Sequence, residues 1–546
     1  MPAPEKTENN ISSNRRRLLA VALLVVTVLA VFGRVGGHEF LTWDDRQHIH
    51  GNPHLNPVSW RGLAGIWAEP YWGLYVPASY TFFAAEALIA QRPLPGGVGY
   101  SFDPMVFHLG NLALHVACVL LVFSVLRRLF RHDGAACAGA LLFALHPAQV
   151  ESVAWISETR GVLCAMFCLL AVWFCVRPVA TAESRTSAAI CYAAATAAFL
   201  LALLSKPAAA VLPLMIGTIE IALLHRPAWR VLLRMGPWLV ASAGWIILTK
   251  SQQPDTLLWF VPPLWARGLL AGDALAFYAY KLLAPLQFGP DYGRTPAWVM
   301  GQWWFYVAWL LPAALLGALA AAPGRRLWLT AAALFVICLL PVLGFVAFDF
   351  QRISSVADRY LYLAMLGPAV ALSGILAARW NRCSVAAAGG VLCLLGIFSF
   401  VQVSHWHDDN TLFVHAGRIN PDSVMANHNL GFALARQGRF VEATARYLKV
   451  LDVDPHHAES QLGLGVALLE LGNLEQAEKH LRKAARLKPD WALPHYHLAR
   501  VMDARDRHGD ATQSYRRALR LAEDGDPDFA RSVRKILDER LKAPNK

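Results

Sequence analysis

Residues 15–32 read RRRLLAVALLVVTVLAVF, three arginines followed by fifteen residues without a charge. Two readings fit such a run. A secretory leader has a basic flank and an apolar core, and a first membrane helix keeps its basic flank in the cytoplasm. The rest of the chain decides between them. A crossing takes about 20 mostly apolar residues, and runs of this kind recur at 106–127, 135–150, 160–176, 187–204, 208–224, 236–249, 300–321, 327–345, 361–378 and 384–403. Counted with 18–35, they give eleven expected spans and an uncleaved first helix. Arg127/Arg128/Arg131, Arg177/Arg185, Arg226/Arg230/Arg234, Arg325/Arg326 and Arg379/Arg382 then fall on the side of Arg15–Arg17, as the positive-inside rule requires. The stretch 269–288 would break that pattern if it crossed, so it is read as interfacial or re-entrant. The expected topology puts the N-terminus in the cytoplasm and the C-terminus outside it.

Composition agrees. Of 546 residues, 56% are hydrophobic and 16% charged, against about 25% charged in soluble domains, and the mean hydropathy is +0.38. The net charge of +12 raises the question of nucleic acid. The arginines sit in short clusters between apolar runs, so no nucleic-acid partner is expected. The nine cysteines, Cys118 to Cys393, lie in or beside apolar stretches, with neither a disulfide framework nor a CxxC zinc pattern.

Two regions are not spans. Residues 36–105 form a long first external loop rich in Trp, Pro and His. Residues 404–546 are polar and periodic: Pro421, Pro455 and Pro489 recur every 34 residues, Leu430-Gly431 returns as Leu464-Gly465 and Leu498-Ala499, and Ala443/Tyr447 returns as Ala477/Leu481 and Ala511/Tyr515. This is the 34-residue helix–turn–helix tetratricopeptide (TPR) period, in which small residues let paired helices approach. The expected fold class is all-α, a polytopic bundle over 1–403 followed by an α-solenoid over 404–546. Its units fall near 424–457, 458–491 and 492–525, and a capping helix follows.

The first external loop opens with Thr42-Trp43-Asp44-Asp45-Arg46. Adjacent carboxylates do not share a helix face, so a paired dyad is not expected. One carboxylate pointing into a cavity while the other holds the loop or a cation fits better, and a plain turn or cap is the competing reading. The external-side cations are Arg160, Lys206, Lys281 and Arg359, each of which also fits interfacial snorkelling. His146 and Glu151 stand five apart in the second external loop, where His146-Pro147 also reads as a helix end. His38, His48, His50 and His54 match no compact ligand set and are read as solvated loop residues. Glu220, in an apolar run, is read as pairing with Arg226 at the cytoplasmic end.

Several segments in order carry a resemblance. They are Trp43-Asp44-Asp45 with Asn52-Pro53, Phe107-His108-Leu109-Gly110-Asn111 with His115, and the run from Leu145-His146-Pro147 through Glu151 to Trp155. Leu204-Ser205-Lys206-Pro207, Asp358-Arg359-Tyr360-Leu361-Tyr362-Leu363 and Trp406-His407-Asp408 before Leu412-Phe413 complete the series. With the appended repeats, the chain resembles bacterial relatives of the transmembrane and tetratricopeptide-repeat protein O-mannosyltransferases, which have the GT-C glycosyltransferase fold. In one place it departs: those relatives often carry Glu-Arg-Lys-Asp after the Trp of the second external loop. Here the segment is Ser157-Glu158-Thr159-Arg160-Gly161, with Gly161 in place of the acid.

The resemblance implies an integral-membrane glycosyltransferase, in a bacterial inner membrane. It would move a sugar, mannose in eukaryotic members, from a polyprenyl-phosphate donor to a protein hydroxyl on the non-cytoplasmic face, with inversion. It implies Asp44 or Asp45 as base, the lean being to Asp44 because Trp43 would pack the loop and turn its neighbour inward. Arg160, Arg359 and Lys206 would hold the donor phosphate, with His146, Glu151 and Tyr360 lining the site and the repeats binding the acceptor. No cofactor beyond the lipid-linked sugar is called for, and a divalent ion at Asp44/Asp45 stays open. The alternative is a non-catalytic scaffold whose bundle anchors repeats that assemble envelope proteins. A transporter fits less well, since intramembrane charges are few and no inverted repeat is evident.

Overall fold

In a computed structural model the described residues are 5–94, 100–176, 185–252, 260–523 and 527–542; Arg177 lies outside them. The chain forms two compact units, Met1–Asp408 and Asp409–Lys546.

The first unit runs α1 (Glu5–Phe32), α2 (Trp60–Ala68), α3 (Pro77–Ala90), the hairpin β1 (Gln91–Pro93) and β2 (Tyr100–Phe102), α4 (Pro104–Phe130), α5 (Asp133–Leu145), α6 (Val150–Ala154), α7 (Thr159–Cys175), α8 (Arg185–Ser205), α9 (Leu212–Ala222), α10 (Ala228–Gln252), α11 (Leu264–Leu283), α12 (Pro296–Met300), α13 (Leu310–Ala321), α14 (Arg325–Leu339), α15 (Leu361–Ala364), α16 (Leu366–Ala378) and α17 (Arg382–Val403). The opening run is helical throughout. Leu24, Val28 and Phe32, one turn apart, are buried, while Leu18, Leu19, Leu23, Val26 and Leu29 stay exposed. An apolar face of that size is unfavourable in water and at home in lipid. This is an integral membrane protein.

Among the described residues, eight helices are long and apolar enough to cross a bilayer. The other three expected spans take different forms. The segment expected at 361–378 is bent by 44° between Asp358–Ala364 and Leu366–Ala378, and two others are the shorter apolar helices Asp133–Leu145 and Pro207–Ala222. Proline explains the short ones: His146-Pro147 and Lys206-Pro207 each put an extended residue before the ring and start a short 3-10 turn, which the pre-proline clash favours. The stretch around 269–288 is the 20-residue α11. Its Asp273 and Lys281 are buried: Asp273 pairs with Arg294 at 2.7 Å, and the Lys281 ammonium donates to the carbonyls of Leu286 and Gln287.

Residues 36–105 are not an open loop. Ile49, Leu55, Ile66, Val76, Tyr80, Phe83, Phe102 and Phe107 form one core that also takes in Ile156. This corrects the expectation of solvated histidines. His38 and His48 are buried and His50 and His54 half-buried, because aromatic contacts such as His38 on His108 and His50 on Phe40 fold the segment onto itself.

The second unit opens with α18 (Asp409–Ile419) and stacks the pairs α19 (Val424–Arg436)/α20 (Phe440–Val453), α21 (Ala458–Glu470)/α22 (Leu474–Leu487) and α23 (Ala492–Ala504)/α24 (His508–Glu523), then α25 (Pro527–Lys542). Small residues set the approach, since a Cβ on Gly463 would stand 2.4 Å from the Tyr447 ring and one on Gly465 2.6 Å from Leu481. A polar element repeats with the same period. The Asn427 amide donates to the Pro421 carbonyl and accepts from Arg446, and 34 residues on Gln461 bonds the Pro455 carbonyl and His480.

Candidate active site

Charged groups gather where the segment after α1 meets α6, α7, the end of α8 and the turn before α15. The loop from Leu41 is anchored from below: the Trp155 indole N–H donates to the Trp43 carbonyl (3.2 Å) and the two rings pack at 5.4 Å. Anchored this way, Asp44 takes a left-handed backbone, φ +64°, uncommon for a residue with a Cβ.

The two adjacent acids do different things. Asp45 is fully buried; one carboxylate oxygen accepts from the Leu41 N–H (3.0 Å), the other from the Ser157 N–H (3.0 Å) and hydroxyl (2.5 Å). Burial pushes its carboxyl up to about 7, against these hydrogen bonds, which lower it. Its lone pairs are spent tying the first loop to the second. Asp44 is half-buried, and its carboxylate has no hydrogen-bond partner among the described residues. Burial raises its pKa, while Arg160 and then Arg359 pull it down.

Arg160, in the first turn of α7, is buried. Its Nε donates to the Ser157 carbonyl (2.8 Å) and Nη1 to His48 Nε2 (3.3 Å). His48 Nδ1 then faces the Tyr80 hydroxyl at 2.8 Å. Burial and Arg160 press the His48 pKa down to about 2, so the ring is neutral, with Nε2 accepting and Nδ1 carrying the proton. Among the described residues Arg160 has no carboxylate within ion-pair distance.

The other two cations are already matched. Arg359 forms a 2.5 Å ion pair with Glu151, whose second oxygen accepts the Arg359 backbone N–H, and stands 3.7 Å from Glu158. Its guanidinium lies over the Phe350 ring at 4.0 Å and within 5.1 Å of that of Tyr360. Lys206 binds both oxygens of Glu158, at 2.8 and 3.1 Å. Gly161 makes room for that pair, because a Cβ there would stand 2.4 Å from Glu158 Oε2 and 3.2 Å from Lys206 Nζ.

Of the residues singled out from sequence, Glu151, Arg359, Tyr360 and Lys206 are joined by ion pairs and ring contacts through Glu158, Arg160 and Asp45 meet at Ser157, and Asp44 is linked to Arg160 and Arg359 through charge. The structure does not bring His146 in: Nδ1 accepts the Ala148 N–H and Nε2 faces the Leu282 carbonyl, so the ring caps the turn after α5. Lys281 is spent on carbonyls. His48, Tyr80 and Glu158 belong to the cluster although the sequence reading gave them no role; Glu158's place two residues before Arg160, in the segment read as the second external loop, was the available signal. Among the described residues no group of three or more His, Cys, Asp or Glu is placed to hold a metal. At the other end of α9, Glu220 is buried against Arg226 at 2.8 Å and also contacts Arg234.

The fold and this cluster define a polytopic α-helical membrane protein with a TPR array and a buried, charge-balanced site at one end of its bundle. Comparison with known proteins makes the relationship more specific. Residues 102–251 match the family model described as dolichyl-phosphate-mannose-protein mannosyltransferase, and 434–501 match a tetratricopeptide repeat. The chain is 24% identical to mouse protein O-mannosyl-transferase TMTC3 over 89% of its own length and 58% of that protein's. It is 26% identical to mouse TMTC4 over 77% of this chain and 64% of the relative. With human TMTC4 the identity is 32%, over 27% of this chain and 22% of that protein. The chain thus spans somewhat more than half the length of the mouse relatives. The likeness extends over most of its sequence, as the motif series from Trp43 to Phe413 leads one to expect.

Proposed function

We propose that the chain is a GT-C-type glycosyltransferase of the bacterial inner membrane. It takes a sugar, mannose by its relatives' names, from a polyprenyl phosphate and transfers it to a protein hydroxyl on the non-cytoplasmic face, with the repeats binding the acceptor. One observation carries the reading. Among the described residues, Asp44, whose carboxylate has no hydrogen-bond partner, is held with a left-handed backbone near a buried guanidinium, Arg160, that has no carboxylate within ion-pair distance, while Arg359 and Lys206 are paired with Glu151 and Glu158.

The chemistry follows from that pairing. Asp44 accepts the proton of the acceptor hydroxyl as the oxygen attacks the anomeric carbon. The bond from that carbon to the phosphate oxygen breaks, and the bonding pair leaves with the phosphate. Charge building there meets Arg160, whose fork of donors suits a phosphate. Arg359 and Lys206 are held in place by Glu151 and Glu158, so their charges are fixed in position beside Arg160. Neutral His48, braced by Tyr80, fixes the Arg160 plane without competing for the anion. A scaffold would gain nothing from a buried guanidinium left without a carboxylate near a half-buried acid.

The test is transfer from a labelled polyprenyl-phosphate sugar by purified full-length variants. Asp44→Asn is expected to cut transfer by about 10²- to 10⁴-fold with thermal stability retained. Asp45→Asn is expected to lower the melting temperature first, because an amide oxygen cannot replace a carboxylate with three hydrogen bonds, each worth about 1.5–3 kcal/mol when charged. Full activity in Asp44→Asn would remove the base and the proposal with it.

A further inference from the structure

At the end of the bundle away from this site lies a cavity of about 1120 Å³ that the proposed reaction does not use. It opens between the middle of α1, the end of α4, the start of α5 and the junction of α16 with α17. On α4 the cavity's Arg127 lies about 24 Å of helix beyond Asn111, whose amide binds the carbonyls of Ser152 and Val153 near the charged cluster. The lining is strongly basic: Arg16, Arg17, Arg127, Arg128 and Arg131 take part in it, and Asp133 is the one carboxylate among the described lining residues. Asp133 stands 4.0 Å from both Arg17 and Arg127, the outer limit of an ion pair. Neither Arg16 nor Arg131 has a carboxylate within that distance among the described residues.

The rest of the lining is largely aliphatic. Leu19 and Leu23 are 62% and 52% exposed at the mouth and Leu392 is buried deeper, so an apolar surface continues from the cavity outward along α1. The rim is fixed by Trp380, which packs at a tilt on His132 with ring centroids 4.4 Å apart and closes over Gly134, where a Cβ would stand 2.4 Å from the indole. His132 in turn caps α5 by accepting the Ala135 N–H. Water alone would not require the aliphatic wall, and a soluble anion would not use it.

We propose that this cavity binds an anionic phospholipid, its phosphate among Arg17, Arg127 and Arg131 and an acyl chain along Leu23, Leu141 and Leu392. Basic pockets between membrane helices are suited to such headgroups, each arginine near the surface contributing about 1 kcal/mol. The apolar wall is what selects a lipid over free phosphate.

The experiment is native mass spectrometry of the full-length protein, delipidated in neutral detergent and offered equimolar phosphatidylglycerol and phosphatidylcholine. Phosphatidylglycerol is expected to be retained about tenfold over phosphatidylcholine. Arg17→Gln/Arg131→Gln should erase that preference. Arg230→Gln/Arg325→Gln removes the same charge from the same end of the bundle but outside the cavity, and should leave it intact. Ala138→Trp fills the cavity with every arginine in place and should displace the lipid. Equal retention of both lipids, or an equal loss in the Arg230/Arg325 variant, overturns the site. Retention unchanged by Ala138→Trp, or full competition by glycerol phosphate, would reduce the occupant to a phosphate anion and overturn the lipid assignment.

Discussion

Asp44 and Asp45 share a sequence position to within one residue, yet their surroundings assign them opposite tasks. Asp45 is committed by Leu41 and by Ser157, 112 residues away; Asp44 is turned aside by its left-handed backbone and left unpaired. This gives a pH prediction with a definite sign. A base must be ionised, so kcat/KM falls as pH drops through the Asp44 pKa, which burial sets above the ordinary 3.8. Arg160 is the foremost group lowering it, and a nearby cation favours the charged form. Arg160→Gln should therefore move the acid limb of kcat/KM to higher pH, as well as weakening donor use. A limb that stays in place or moves to lower pH in that variant would detach Arg160 from Asp44. The sequence offered both aspartates but no means of separating them, because the partner that decides is distant in the chain. His48 was hidden for a related reason. A histidine in a polar-looking loop reads as solvated until the loop's own core, from Ile49 to Phe107, is seen to bury it.

Among elements, the junction of α7 with the end of α8 carries the most consequence. Lys206 ends an apolar run, and the proline after it stops the helix so that the ammonium reaches Glu158, the residue that precedes α7. Gly161, where the related pattern has an acid, is what lets the two elements approach. Gly161→Ala is expected to push the Glu158–Lys206 pair apart, costing about 1–3 kcal/mol as overpacking does and lowering transfer through Arg359, which shares Glu158. A thermal melt together with the transfer assay checks it; an alanine variant with unchanged melting temperature and activity would show the close approach to be idle. Elements of this kind were legible in the sequence unevenly. The repeats could be read because a 34-residue period states its own boundaries, and Gly431 and Gly465 mark the contacts directly. The long spans could be read because hydropathy reports length. Hydropathy does not report direction, so the 44° bend between Asp358–Ala364 and Leu366–Ala378 was invisible, and with it the way Arg359 is delivered to Glu151.

For the whole molecule, the division into Met1–Asp408 and Asp409–Lys546 separates two physical tasks. The first unit contains every residue of the charged cluster; the second contains stacked helix pairs of the kind whose concave faces hold extended peptides. If the repeats serve to hold the acceptor, they act by raising its local concentration at the site, which is an affinity effect rather than a chemical one. A chain ending at Asp408 should then keep kcat with a small hydroxyl acceptor and keep its consumption of the polyprenyl-phosphate sugar. For a protein acceptor, KM should rise by about 10²-fold, within the range that tethered binding supplies, with kcat little changed. The discriminating measurement is the pair of acceptors compared on the two chains. A fall in kcat for both acceptors would mean the repeats support the bundle itself, and an unchanged KM for the protein would take acceptor binding away from them.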